Sequence, residues 1–514
     1  MSRFNSYPSD CDSPPRNLTV HSYHHNYQSI SNLGNGSFGT VELVKVKFQK
    51  LDLLMSHADK QGTLLYPLED SKINNSNLVA IKTMKKKLPL LQDYSKVKEV
   101  KFILTVPSHP CLVQIYEIFI DDLNYQLHIS MEALNQNLYQ LIRSRRNMKF
   151  SPITLKSILA QLLCALKHIH NNQYFHRDVK PENILIIPTL HFYGSKDLVP
   201  PYRKNDNFIV KLGDYGLARH VSNLRTYTAY VSTRWYRSPE ILLRQKWYSC
   251  PIDIWAFGAV AAEIVNFAPL FPGSNELDQI WRILKALGSP MIPESSSLNS
   301  NYIIPLGGYW SEASHLANKL GVDLPMEPGT SIAEIVHSPN DTSVYDVIQA
   351  CLLWDPLARP DATELGRMSY FKESVQLIDN NFEKESAAFG SSSNNKCSEM
   401  IPNSPSRKKL LGARHGGVDM TLNNSETPDI ENSYENYFQE YFSQIAKDDG
   451  SSHVNENDGY YAWYNYGEDF RNDKSREPRN SIALNLQQMN LENENEKKGS
   501  LTTLSLESED VMNL

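Results

Sequence analysis

The chain has 514 residues, 41% of them hydrophobic, and a formal net charge of −7. That length exceeds one ordinary domain, and the apolar fraction is enough for a sizeable core. Residues 372–514 carry 14 Lys and Arg against 25 Asp and Glu, which leaves the first 371 residues at +4. Neither value suits a nucleic-acid binder or a membrane-surface protein, so no partner of either kind is expected.

Residues 1–26 are rich in Ser, Pro, Asn and His and are expected to be disordered, with no apolar core of a signal peptide. Strand-like runs follow at QSISNLG (28–34) and TVELVKVKF (40–48), separated by the glycine-rich GNGSFGTV, Gly34 to Val41. Glycines at this spacing let the backbone approach phosphate closely. A dinucleotide-binding turn would open a helix at its last glycine, whereas a strand pattern follows here, which favours a strand-turn-strand lid over a nucleotide. Residues of about 49–77 are polar and irregular and read as a surface insertion.

VAIK then ends at Lys82, and Glu99 follows in SKVKEVKFIL, where Val100, Ile103 and Leu104 give a helix a buried face. Glu99 pointing inward would pair with Lys82 and aim the ammonium at phosphate oxygens; a lysine snorkelling to solvent is the plainer alternative. The next long helix is TLKSILAQLLCALKHIHNN, with Ile158, Leu162, Leu166 and Ile169 on one side.

HRDVKPEN, His176 to Asn183, carries the strongest signal. Asp178 can accept a hydroxyl proton, Lys180 can neutralise a transferring phosphoryl group, and Asn183 can ligate Mg²⁺. A second polar stretch, about 188–207, again reads as a surface insertion. After FIVKLG comes Asp214-Tyr215-Gly216, with Asp214 the natural second metal ligand. The run IDIWAFGAVAAEIVNFAPLF (252–271) is interrupted by Asp253, Glu263 and Asn266 and reads as a buried helix. The six cysteines are scattered and read as free thiols in a reducing compartment.

The order of these motifs resembles a eukaryotic Ser/Thr protein kinase over about residues 27–371. That implies an α+β, bilobal fold, with a small β-rich N-lobe and a larger helical C-lobe, followed by a disordered, acidic, Asn/Ser-rich tail over 372–514. The resemblance implies ATP and Mg²⁺ as cofactors. Leu33, Gly34, Asn35, Gly36, Ser37, Phe38, Gly39, Val41, Ala80, Lys82, Glu99, Glu132, Leu134 and Leu185 would surround ATP. Met131 would stand ahead of the adenine hinge. Asp178, Lys180 and Asn183 would be catalytic, and Asn183 and Asp214 would hold the metal. Glu240 of Ser238-Pro239-Glu240 would pair with Arg359, and Asp253 would hold the catalytic loop from below.

The stretch RTYTAYVSTRWYRSPE resembles the activation segment of the cyclin-dependent and mitogen-activated group, and NQNLYQLI narrows the likeness to the male germ cell-associated branch. The insertions and the Asn-rich tail most resemble that branch's yeast meiotic kinases, which implies a role in meiosis or sporulation. Thr228 and Tyr230 would be phosphorylated, by an upstream kinase or by the chain itself. Arg177 and Arg219 would clamp phosphothreonine, and Arg234 and Arg237 phosphotyrosine. Lys98 stands where the family offers Arg, Tyr215 replaces Phe, and Ser238 replaces Ala. Protein substrates bearing Ser or Thr, in the pattern Arg-Pro-x-Ser/Thr, are expected, with Glu182 a candidate for the arginine. A monomer in nucleus and cytoplasm is expected. A partner-activated cyclin-dependent-like kinase and a pseudokinase scaffold remain the alternatives.

Overall fold

The computed structural model describes residues 18–36, 39–68, 77–145, 148–223, 233–292, 304–338 and 341–394. Its strands are β1 (Thr19–His21), β2 (Tyr27–Asn35), β3 (Gly39–Val46), β4 (Leu78–Met84), β5 (Ile115–Asp121), β6 (Leu127–Glu132), β7 (Gln136–Asn137), β8 (Tyr174–Phe175), β9 (Ile184–Pro188), β10 (Phe208–Leu212) and β11 (Arg219–His220). The helices, in chain order, are α1 (Tyr23–Asn26), α2 (Lys50–Met55), α3 (Lys98–Thr105), α4 (Leu138–Ser144), α5 (Pro152–Asn171), α6 (Thr189–Tyr193), α7 (Pro239–Leu242), α8 (Pro251–Asn266), α9 (Glu276–Leu287), α10 (Ser311–Lys319), α11 (Ile332–Ile335), α12 (Ser343–Cys351), α13 (Ala362–Arg367) and α14 (Lys372–Asn394). Strands dominate the first part and helices the rest, giving the expected β-rich N-lobe and helical C-lobe.

One six-stranded sheet, in the order β1-β5-β6-β4-β3-β2, builds the N-lobe. β4 lies inside it and places Lys82 opposite both Val41 of β3 and Ile129 of β6. The β10-β9-β7 sheet and the β11-β8 pair carry the loops that face this sheet across the cleft. α5 starts at Ser151, whose hydroxyl accepts from Thr154 N–H ahead of Pro152. Its Ile158, Leu162, Leu166 and Ile169 are fully buried, as the periodicity requires. α8 is buried nearly throughout, and its Trp255 is 0% exposed. A Cβ on Gly258 would lie 2.5 Å from Cβ of Cys351, so only glycine lets α8 and α12 approach this closely. Among the described residues no helix is long and apolar enough to cross a membrane.

Three boundaries differ from expectation. Residues ahead of 27 already belong to the fold: β1 pairs in parallel with β5, and His21 stacks on Phe119 at 4.1 Å. Order also runs past residue 371. α14 buries Val375 and Ile378, and its Asp379 accepts from Lys167 Nζ at 2.6 Å. The described residues of the two polar stretches are not confined to the surface either. In the first, Leu53, Leu54, Leu64 and Leu65 are buried; in the second, Phe192, Tyr193, Val199 and Arg203 are buried. A few well-placed apolar side chains suffice to anchor a mostly polar segment.

Candidate active site

The site begins with Lys82, 7% exposed. Its Nζ donates to Glu99 Oε1 and Oε2 at 2.8 and 2.9 Å and to Asp214 Oδ1 at 2.8 Å. β4 supplies the lysine, α3 the glutamate and the turn after β10 the aspartate. Burial opposes the lysine's charge, but Asp214 and Glu99 outweigh it and raise its pKa. Asp214 is ringed by protein yet 45% exposed at its side chain, so it faces the cleft. Burial would raise its pKa, but the Lys82 ammonium brings it down to about 2. Its backbone sits at φ +57°, in the left-handed region. A Cβ on Gly216 would come within 3.3–3.4 Å of Asp214 Oδ1, Glu99 Oε2 and Lys82 Nζ, which explains the small residue there. Tyr215 satisfies its extra hydroxyl on Leu212 O at 2.9 Å and Val113 O at 3.2 Å, while its ring stacks on Phe102 of α3 at 4.6 Å.

Across the cleft, Asp178 is 5% exposed. Its Oδ2 accepts from Asn183 Nδ2 at 2.8 Å and from Lys180 Nζ at 3.0 Å, while Oδ1 is buried with no hydrogen-bond partner. A carboxylate with one oxygen anchored and the other unsatisfied is built to receive a proton donor. Asn183 Nδ2 also donates to Asp178 O at 2.8 Å, which turns the amide oxygen away from that contact. The loop is pinned from beneath by Asp253, whose carboxylate accepts from His176 N at 2.7 Å, Arg177 N at 2.8 Å and His170 Nε2 at 2.9 Å. Burial works against that charge, but these donors hold the Asp253 pKa below its usual value. They also hold Arg177 at φ +72°, a conformation an arginine adopts only when its surroundings impose it. His176 Nδ1 accepts from Asp178 N at 3.3 Å, so Nε2 carries the proton given to Gly213 O at 2.9 Å.

Leu33, Gly34, Asn35 and Gly36 end β2 and its turn, and Gly39 and Val41 open β3. Gly36 N donates to Gly39 O at 2.9 Å, and Lys85 Nζ closes the turn on Gly36 O at 2.7 Å. A Cβ on Gly39 would sit 2.5 Å from Thr83 O, so sheet packing alone demands that glycine. Ser37 and Phe38 lie outside the described residues. Ala80 is buried on β4, opposite Met131, and Leu134 and Leu185 are half-buried below. Glu132 takes Lys211 Nζ and Gln114 N on Oε1, each at 2.7 Å. Its carboxylate is committed inward, so it can serve a nucleotide only through its main chain.

Thr228 and Tyr230 also lie outside the described residues. Arg177 donates to Tyr248 OH at 3.0 Å, Arg219 to Asn223 O and Oδ1, Arg234 to Ser274 O and Arg237 to Glu276 at 3.3 Å. Arg177 and Arg237, expected to serve different phosphates, line one small cavity of about 20 Å³ with Tyr236 and Asp253. Glu240 and Arg359 form a bidentate pair at 2.7 and 2.8 Å, wholly buried.

Two residues near Glu182, Tyr236 and Glu263, belong to no catalytic motif. Tyr236 OH donates to Glu263 Oε2 at 2.7 Å, and burial together with the charge of Glu182 lifts Glu263 to about pKa 7. Glu182 has a buried, unpartnered Oε2, and burial raises its pKa too. The only sequence signal for Glu263 was an acid inside an apolar helix.

Residues 69–371 match the protein kinase domain family, and the chain belongs to it. The match starts after the glycine-rich turn, which nonetheless joins the same sheet as β4. Within that family the chain is 49% identical over 376 residues to the meiosis induction protein kinase IME2/SME1 of Saccharomyces cerevisiae, covering 72% of this chain and 58% of the relative. It is 35% identical to the sporulation protein kinase mde3 of Schizosaccharomyces pombe, covering 67% and 54%. To the serine/threonine-protein kinase MAK of Mus musculus it is 32% identical, covering 67% and 45%. The chain thus spans about half the length of the curated relatives it matches.

Proposed function

We propose that the chain is a Ser/Thr protein kinase that transfers the γ-phosphate of ATP to protein hydroxyls and acts in meiosis or sporulation. The observation that carries this reading is the pairing of a Lys82–Glu99–Asp214 cluster, open on the Asp214 side, with an Asp178 whose Oδ1 is left unsatisfied. Lys82, held by two carboxylates, orients phosphate oxygens. Asp178 Oδ1 accepts the hydrogen bond of the acceptor hydroxyl and positions it for in-line attack. Lys180, whose pKa is raised by Asp178 against the effect of burial, stays charged and steadies the transferred group. The open side of Asp214 and the amide oxygen of Asn183 form a hard-oxygen pair that fits Mg²⁺ completed by phosphate oxygens. Bound there, the ion would neutralise phosphate charge.

The full set of polar residues favours an enzyme over a scaffold. The acidic pair Glu182 and Glu263 favours an arginine upstream of the acceptor, in the pattern Arg-Pro-x-Ser/Thr. Phosphorylation of Thr228 and Tyr230, clamped by the four arginines, is the proposed switch. The IME2/SME1 and mde3 names support the process, and a monomer in nucleus and cytoplasm completes the reading. Incubating purified chain with γ-labelled MgATP and a peptide library tests it. Label should appear on Ser and Thr without an added partner, most strongly with Arg at −3; absence of transfer to any peptide refutes it, and transfer that needs a cyclin moves it to the cyclin-dependent-like alternative.

A further inference from the structure

The first polar stretch does more than pack. Leu64 N donates to Ile103 O at 2.9 Å. Ser108 Oγ donates to Thr63 O at 3.1 Å and Tyr66 O at 2.6 Å, and Ser108 N to Thr63 O at 3.1 Å. Gln114 Nε2 donates to Leu64 O at 2.7 Å and Tyr66 O at 3.2 Å. Residues 63–66 therefore grip α3, the loop after it and the approach to β5.

Each grip bears on the reactive cluster. Ile103 lies one helical turn beyond Glu99, and its carbonyl is among the last four of α3, which find no partner within the helix. α3 has only 8 residues, and Val97 gives its start no side-chain cap, so the helix depends on outside contacts to hold its place. Leu64 and Leu65, each 1% exposed, join the core cluster that contains Val100, Phe102 and Ile103. Gln114 N binds Glu132, and Glu132 binds Lys211, on the strand that leads into Asp214. A continuous polar path thus runs from this segment to the supports of both Glu99 and Asp214.

We propose that Thr63–Tyr66 is a built-in brace that keeps α3 where Glu99 meets Lys82, so that the position of this helix belongs to the chain itself. The brace rests on the kinase reading above, with Leu64, Leu65 and Ser108 as positioning residues. In the full chain, Leu64→Ala/Leu65→Ala should lower kcat for peptide phosphorylation about tenfold with KM for MgATP within about twofold, because phosphate orientation is lost and adenine binding is not. Hydrogen exchange of the 100–105 amides should accelerate while α5 and α8 keep their protection. Leu64→Met/Leu65→Met should restore both readouts. Unchanged kcat and unchanged α3 exchange would overturn the brace, as would equal loosening of α5 and α8. Should the double alanine variant fail to fold, Ser108→Ala decides by the same two measurements. A wild-type chain that labels no peptide refutes the kinase reading, and α3 exchange then still decides the brace.

Discussion

Two buried ionic groups in this molecule look alike and behave differently. Arg359 and Glu240 are sealed at 0% and 1% exposure, and the guanidinium also donates to the carbonyls of Leu353, Pro251 and Trp354. Every polar capacity of that pair is turned inward. The Lys82–Glu99–Asp214 group sets two carboxylates against one ammonium and leaves Asp214 45% open to the cleft, and nearby Asp178 keeps an oxygen without a partner. Saturated polar groups hold a fold in register, whereas a site keeps capacity unused until substrate arrives.

Single substitutions should separate the two groups by their consequences. Asp178→Ala should lower kcat by about 10²–10⁴-fold and cost little urea stability, since Oδ1 has no partner to lose and Oδ2 gives up only Asn183 Nδ2 and the part-exposed Lys180 Nζ. Arg359→Ala should do the opposite. Stranding the buried Glu240 carboxylate should cost about 3–5 kcal/mol in urea unfolding, with kcat per folded molecule nearly unchanged. A large stability loss in the first variant, or a large kcat loss in folded molecules of the second, would erase the distinction.

A finer test uses the acids near the catalytic loop. Glu263 is lifted from 4.5 to about 7 by burial, with Glu182 adding to the effect. In the folded chain it holds a proton that the unfolded chain has already lost, so its contribution to stability declines between pH 4.5 and about 7 and levels off above. Arginine binding should favour the ionised form. The kcat/KM preference for Arg over Ala at −3 should therefore rise between pH 6 and 8, reaching roughly ten- to a hundredfold, and Glu182→Gln should remove most of it. A flat preference across that range would detach these acids from substrate choice.

The smallest expected effect belongs to Ser238, which is fully buried with its hydroxyl unpartnered. Ser238→Ala should raise stability by about 1 kcal/mol, visible as a higher Tm. A fall would mean that the hydroxyl has a partner in solution, and would place it with the saturated groups.

Much of the site was legible because its chemistry is local. His176 to Asn183 place an acid, a cation and an amide within one short loop, and Asp214-Tyr215-Gly216 needs no distant residue to be recognised. The inward turn of Glu99 could be read from Val100 and Ile103, which share its helix. The commitment of Glu132 to Lys211 and of Tyr236 to Glu263 could not, because those partners meet only through folding. Nor could the order of residues 18–26, 49–68 and 372–384, where isolated apolar residues such as Leu18, Leu64 and Val375 lack periodicity and find cover only on distant elements.

Fold class, the order of the reactive groups and the kind of chemistry they can perform are legible along the chain, because short motifs and helix or strand periods are properties of neighbouring residues. Tertiary structure alone decided which charges are saturated and which are left open, and turned a polar stretch into a support for α3. Burial and hydrogen-bond completion depend on what the rest of the chain brings to a group: Asp178 and Asp253 are both buried aspartates, yet one keeps an oxygen free while the other spends both on the loop above it.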